Sequence, residues 1–280
     1  MVLQMPALGR RRLASLTLAA VLGAAIAAPG ATTATSAPAD EATLSAAETA
    51  MVAALNKDRT DRGLVAVRVD PRLMAIARAR SDDMVANSYF SHTQPDGRNV
   101  FDILTAQHIT WYNAGEIIAW NNYPMDSTVS AANRQWMESP GHKAIAISTD
   151  YNYVGVGLAI DPSTGKKMWT AVYLKGPDRT PAVAKVSGAA LRAGTSASTR
   201  YVRVTWSGSD PRLQVLTAGL GTFTLQRNID GAGWTTIYSS TGLTYTNFLV
   251  GLGHRYEFRV AARDKRGNLG GWVTRVVDLR

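Results

Sequence analysis

The chain of 280 residues contains no cysteine, which removes disulfide scaffolds, thiolate metal sites, iron–sulfur clusters and cysteine nucleophiles together. Long hydrophobic runs are missing as well. The apolar stretch from Leu13 to Ala28 falls short of the ~20 residues that cross a bilayer comfortably, and no later stretch reaches that length. Histidine is scarce, with four residues. What remains is ordinary for a packed protein: 46% hydrophobic and 18% charged residues exclude wholesale disorder. The length without a leader suits two modest domains, each long enough to build a core.

Arg10-Arg11-Arg12 followed by the apolar run and Pro29 reads as a secretory signal peptide over residues 1–28. Ala25-Ile26-Ala27 and Ala37-Pro38-Ala39 are small-x-small cleavage sites, and an uncleaved anchor is the alternative. Residues 29–43, rich in Ala, Thr, Ser and Pro, read as a flexible linker. The expected location is extracellular, with association to the cell surface.

The formal charge of +9 is unevenly placed. Residues 40–175 hold 13 Lys and Arg against 15 Asp and Glu, whereas 176–280 hold 14 against 6. The change falls at Lys175-Gly176-Pro177, which reads as an interdomain joint. An exported basic domain is expected to meet anionic cell-wall polymer, polysaccharide or a membrane surface rather than nucleic acid.

In residues 44–175, Ser45-Ala46-Ala47-Glu48 is a capping-box pattern opening a helix that stops at Gly63. Asp70-Pro71 opens a second helix with Leu73, Ala77 and Met84 on one face. Residues 101–108 form a short helix, and Ser127 to Ser139 a longer one ended by Pro140-Gly141. Tyr153–Ile160 and Met168–Leu174 pair as a hairpin. Gly155-Val156-Gly157 lacks the third glycine of a phosphate-cradling loop and reads as close backbone packing.

Three polar segments stand apart from this core: Phe90-Ser91-His92, Asn113-Ala114-Gly115-Glu116 and Trp136-Met137-Glu138-Ser139-Pro140-Gly141-His142. Two imidazoles and one or two carboxylates could converge there as metal ligands or acid–base partners. Singly, each has a plainer reading: a solvated loop histidine, or Glu116 paired with an arginine. Ser139, three residues before His142, could be drawn as a nucleophile beside a base, but no orienting acid accompanies it. Neither His-Glu-x-x-His nor Gly-x-Ser-x-Gly is present.

The order Leu55-Asn56, Phe90-Ser91-His92, Gly115-Glu116, Trp136-Met137…Pro140-Gly141-His142 and Val154-Gly155-Val156-Gly157 resembles the bacterial branch of the CAP superfamily. That superfamily also holds cysteine-rich secretory proteins, antigen 5 and pathogenesis-related 1 proteins. The resemblance implies an α-β-α sandwich with a cleft lined by two histidines and two acids. His92, Glu116 and His142 match family positions, and Glu138 lies one residue from the place of the second glutamate. As metal ligands these four would take Zn2+. Two family asparagines are replaced, by Ile117 and Ile145.

From Tyr201 the pattern becomes period two. Strands are expected at Tyr201–Trp206, Thr222–Arg227, Trp234–Tyr238 and Tyr256–Ala262, with an Asp230-Gly231 hairpin. Trp206, Arg227…Asp230-Gly231…Trp234, Leu252…Tyr256 and Arg263-Asp264…Trp272 resemble a fibronectin type III domain over 198–280, with 176–197 as linker and first strand. The resemblance implies an all-β sandwich in which the Tyr256 hydroxyl locks a corner. His254 is expected to be solvated. Arg203, Arg227, Arg255, Arg259 and Arg263 are the candidate surface-binding residues.

Three functions compete. The first is a secreted, non-enzymatic protein with a metal- or ligand-binding cleft and a basic attachment domain. The second is a metal-assisted hydrolase or protease using the same cleft. The third is an adhesin or wall-associated structural protein with a vestigial cleft.

Overall fold

The computed structural model describes residues 37–280. The signal-peptide reading and its first cleavage site lie outside them. Helix α1 (Ala37–Thr60) begins well before the expected start, taking the end of the 29–43 segment into helix. Ser45 is therefore interior, and its carbonyl accepts a bond from the Thr49 hydroxyl rather than serving a cap. Alanines at 37, 39, 42, 46 and 47 carry high helix propensity, which explains the extension.

Helix α2 (Pro71–Ala86) starts where the sequence places it, with Asp70 accepting from the Arg72 amide and proline in the first turn. Helix α3 (Val100–Ala106) carries a complete capping box between Asn99 and Asp102. Helix α4 (Thr128–Glu138) is followed at once by α5 (Pro140–Ala146). Pro140 thus begins a helix as well as ending one, since proline at the first helical position lacks only an amide that has no partner there.

The N-terminal sheet has the order β1 (Arg68–Val69), β3 (Tyr153–Ile160), β4 (Lys167–Lys175), β2 (Asn113–Asn121). β1 pairs parallel with β3, and the other pairs are antiparallel. Strand β2 extends the polar segment at 113–116 into the apolar run after it. Residues 154–159 and 168–174 are buried without interruption, as strands covered on both faces require. One face meets α1, α4 and α5 through Met51, Leu55, Trp136, Trp169 and Tyr173. The other meets α2 and α3 through Leu73, Ile76, Leu104, Val172 and Leu174. The result is the expected α-β-α sandwich. A Cβ on Gly155 would stand 2.0 Å from the Leu73 carbonyl carbon, and one on Gly157 2.2 Å from that of Ala77. These two glycines seat α2 directly on β3.

The C-terminal unit is an all-β sandwich. Strands β5 (Val183–Ala193), β6 (Thr199–Ser209) and β9 (Tyr245–Gly251) form one sheet. The second runs β11 (Val273–Asp278), β10 (Arg255–Asp264), β7 (Leu220–Ile229), β8 (Thr235–Thr241). Val202, Val204 and Trp206 from one sheet pack on Leu225, Phe258 and Val260 from the other. The β7–β8 turn places Asp230 and Gly231 at φ 52° and 81°, the left-handed pair that an Asp-Gly hairpin needs.

The joint at residues 175–182 is tightly packed. Leu213, from the β6–β7 loop, is buried in the N-terminal core beside Leu73 and Ile76. The Val65 amide donates to Gln214 Oε1 at 2.7 Å, and Asn152 Nδ2 donates to the carbonyls of Gly176 and Val215 at 2.9 and 3.4 Å. Arg179 pairs with Asp70 at 2.6 Å.

Candidate functional site

Three of the four expected cleft residues come together. His92 follows α2 on a loop, Glu116 lies on β2 and His142 in the first turn of α5. Loops and helix ends gather them at one edge of the sheet. The ring centroids of His92 and His142 are 6.2 Å apart. His92 Nδ1 lies 2.9 Å from Glu116 Oε1. A carboxylate only accepts, so Nδ1 carries the proton and Nε2 of the neutral ring is left as an acceptor. Burial, and then the facing His92, push the His142 pKa below its ordinary value.

Glu116 is buried and pairs with Arg80, which the sequence analysis did not single out. Arg80 Nε donates to Glu116 Oε2 at 2.9 Å, Nη1 to the Tyr89 hydroxyl at 2.6 Å and Nη2 to the Ser91 carbonyl at 2.8 Å. Tyr89 in turn donates to Asp83, and burial together with that bond pushes its pKa up to about 12. The signal for Arg80 lay in its spacing: it falls on the Leu73–Ala77–Met84 stripe of α2, where an arginine must find a buried partner. Glu116 thus takes the plainer of its two readings, pairing with an arginine, and in addition holds a cleft histidine.

Glu138 does not join them. It ends α4 as an exposed residue, and no hydrogen bond ties it to the cleft among the described residues. Nor does Ser139 hydrogen-bond to His142 among these residues, although both line one hollow. Glu116 has its oxygens taken by Arg80 and His92, and the guanidinium offsets the charge that would draw a cation. It therefore fits as the carboxylate behind a ligating histidine, not as a ligand. The donor set for an imidazole-seeking ion such as zinc shrinks from four residues to His92 and His142. Among the described residues, three carboxylate or imidazole ligand atoms gather within 4.8 Å elsewhere, at Asp178, Asp210 and Asp264.

The five candidate arginines do not share one surface. Arg203, on the β5–β6–β9 sheet, lies over the Tyr245 ring at 3.9 Å. Arg259, on the other sheet, sits between Trp234 and Trp272 at 4.1 and 4.4 Å and donates to Gln226. Arg255 pairs with Glu257, and Arg263 donates to the Gly267 carbonyl. Arg227 shares the inward phase of Phe223 and Leu225 and pairs in register with the buried Phe258. Its Nε is enclosed without a partner. His254, expected to be solvated, is exposed but bonded to Asp230.

Comparison with known proteins finds relatives for the N-terminal unit. Residues 52–173 fit the model of CAP, the cysteine-rich secretory protein family. The chain is 32% identical over 142 residues to the uncharacterized protein YkwD of Bacillus subtilis, covering 51% of each. It is 30% identical over 120 residues to the uncharacterized membrane protein YlbC of the same organism, covering 43% of this chain and 32% of that one. The chain thus spans about half the length of one curated relative and a third of the other. Among solved structures, an extracellular SCP-domain protein from Bacillus anthracis is 26% identical with a TM-score of 0.42, covering 47% of this chain and 41% of that one. A cysteine-rich secretory protein from Staphylococcus aureus is 16% identical with a TM-score of 0.39, covering 47% and 38%. The N-terminal unit thus matches the CAP family model over residues 52–173, in a chain without a cysteine. The matched residues end at 173, before the β-sandwich begins.

Proposed function

We propose that this is an exported, non-enzymatic binding protein whose CAP cleft takes a small ligand or a weakly held divalent ion at His92 and His142. The observation that carries this reading is the chain Arg80–Glu116–His92. A buried ion pair holds one imidazole by Nδ1, leaving its Nε2 free of that bond on a half-exposed ring 6.2 Å from the His142 ring. A second reading, a hydrolase in which that Nε2 takes a proton from water, draws on the same atom, but among the described residues no nucleophile or second acid is hydrogen-bonded to the pair.

The leader composition supports export. Among the described residues no helix is long and apolar enough to cross a membrane. The three-on-four strand arrangement and the Tyr256 hydroxyl, bonded to the Gly251 amide and carbonyl at 3.0 and 3.3 Å, support a fibronectin type III reading of the sandwich. We assign it a spacing or attachment role toward anionic polymer or membrane surface, through scattered arginines and non-specific attraction.

Zinc titration of the full chain by calorimetry tests the cleft. Modest binding at pH ~7.5 that weakens as the imidazoles protonate, and that a His92→Ala/His142→Ala double variant abolishes, is expected. Binding unchanged in the double variant rejects the site. Turnover of generic ester or peptide substrates that depends on His92 would favour the hydrolase reading.

A further inference from the structure

Beside the histidine pair the N-terminal unit carries a feature that the reading above does not use. Two hollows, of about 520 and 510 Å3, meet at a saddle formed by Phe90, Trp120 and Asn122, which line both. One hollow runs toward Asp161 and Thr164, and the other toward Gln135, Ser139 and His142. Phe90, Trp120 and Tyr123 are 44%, 42% and 49% exposed, three large rings grouped on one face. Rings grouped on an exposed face mark a binding surface, because burying them would lower their free energy. Trp120 is also held in place. Its carbonyl accepts from Gln135 Nε2, and the Lys166 ammonium lies 4.0 Å from its ring centroid.

The polar groups around these rings are mostly uncharged amides and hydroxyls. Apart from the histidine, the ionic groups lining the two hollows are Asp161 and Lys166, of opposite sign. The Asp161 carboxylate is already satisfied by Ser163 and Thr164, and these bonds hold its pKa at about 2. Such a lining offers flat apolar faces flanked by neutral donors and acceptors, without net charge. A pyranose ring presents the matching pattern, C–H faces edged by hydroxyls. Two hollows joined over an open saddle suit a strand of several rings rather than one enclosed molecule.

We propose that the saddle binds a neutral oligosaccharide strand, one ring seated on Trp120 and Phe90 and the strand running toward His142. This rests on the cleft reading, because the histidine end would hydrogen-bond the ligand's hydroxyls. An extended peptide is less well served, since the Trp120 carbonyl at the saddle is already occupied. An anionic polymer finds no excess of positive charge there.

Calorimetric titration of the full chain with chitotetraose, a galacturonic acid tetramer and an uncharged octapeptide tests this. Chitotetraose is expected to bind, with little change between about 0.1 and 1 M salt because no ion pair is screened. Trp120→Ala and Phe90→Ala should each weaken it about tenfold or more, the loss of one stacked contact. Trp120→Phe should keep most of the affinity, and thermal melts should show all three variants folded. Preference for the acidic tetramer or the peptide, binding of none of the three probes, or unchanged affinity in Trp120→Ala overturns the proposal. Zinc-induced shifts of the His92 and His142 ring signals separate the two readings. If the shifts persist while the sugar fails, the cleft stands and the ligand class is wrong. If both are absent, both readings fall.

Discussion

Arg80 and Glu116, thirty-six residues apart, face each other at 2.9 Å with both side chains buried, while His92 on the other carboxylate oxygen is 53% exposed. The pair therefore joins the interior of the N-terminal unit to the cleft. Removing one partner strands a charge in a dry site. Glu116→Gln or Arg80→Leu should each destabilise the protein by about 3–5 kcal/mol in urea denaturation. An Arg80→Leu/Glu116→Gln double variant should lose less than the two singles added, because neither charge is then left unpaired.

His142 should contribute to the loss of stability on mild acidification. Its pKa is lowered in the fold, by burial first and by His92 second, so below the ordinary 6.5 the unfolded chain binds protons more readily than the native one. The His142 contribution is thus fully retained at neutral pH and declines as pH falls through 6.5 toward the lower native value. Urea midpoints at pH ~7.5 and ~5, taken with a chelator present, should converge in His142→Asn relative to the parent. An equal pH response in both proteins would assign the effect to other groups.

The contact of α2 on β3 predicts a steep cost at two glycines. Gly157→Ala places a methyl group 2.2 Å from the Ala77 backbone, and Gly155→Ala one 2.0 Å from that of Leu73. Backbone cannot give way as a side-chain tip can, so each should cost about 3 kcal/mol or more, the upper end for overpacking. Gly141→Ala, with nothing within 4 Å, is the control and should leave the melting temperature nearly unchanged.

Leu213 belongs by sequence to the β-sandwich and by packing to the N-terminal core. Leu213→Ala should cost about 2–5 kcal/mol, as other buried leucines do. Calorimetry gives the location of the damage. A parent that melts in one transition should separate into two as the loop loses its seat.

Much of this was legible along the chain. Asp70-Pro71 marked the start of α2, the paired glycines of β3 marked a close approach, and the His92, Glu116 and His142 segments came together. Each of those signals is local, or is carried by a motif. What was missed depends on partners far apart in sequence. The role of Arg80 needed the fold that brings it to Glu116, although its place on the apolar stripe of α2 was a hint. The capping pattern at Ser45–Glu48 lies inside a longer alanine-rich helix, so it does not mark the start of α1. The arginines of the sandwich looked alike in one dimension. Strand phase divides them, sending Arg227 inward and Arg203 and Arg259 to opposite outer faces.

The packed joint has a consequence for direction. With Leu213 seated in the N-terminal core and Arg179, Gln214 and Asn152 bridging the same boundary, the sandwich cannot act as a swivel. If the sandwich is the attached part, as proposed, its anchoring also aims the mouth of the cleft. The protein would then meet its ligand as a fixed bracket does, at one height and one angle, and lengthening the 176–182 segment would trade that aim for reach.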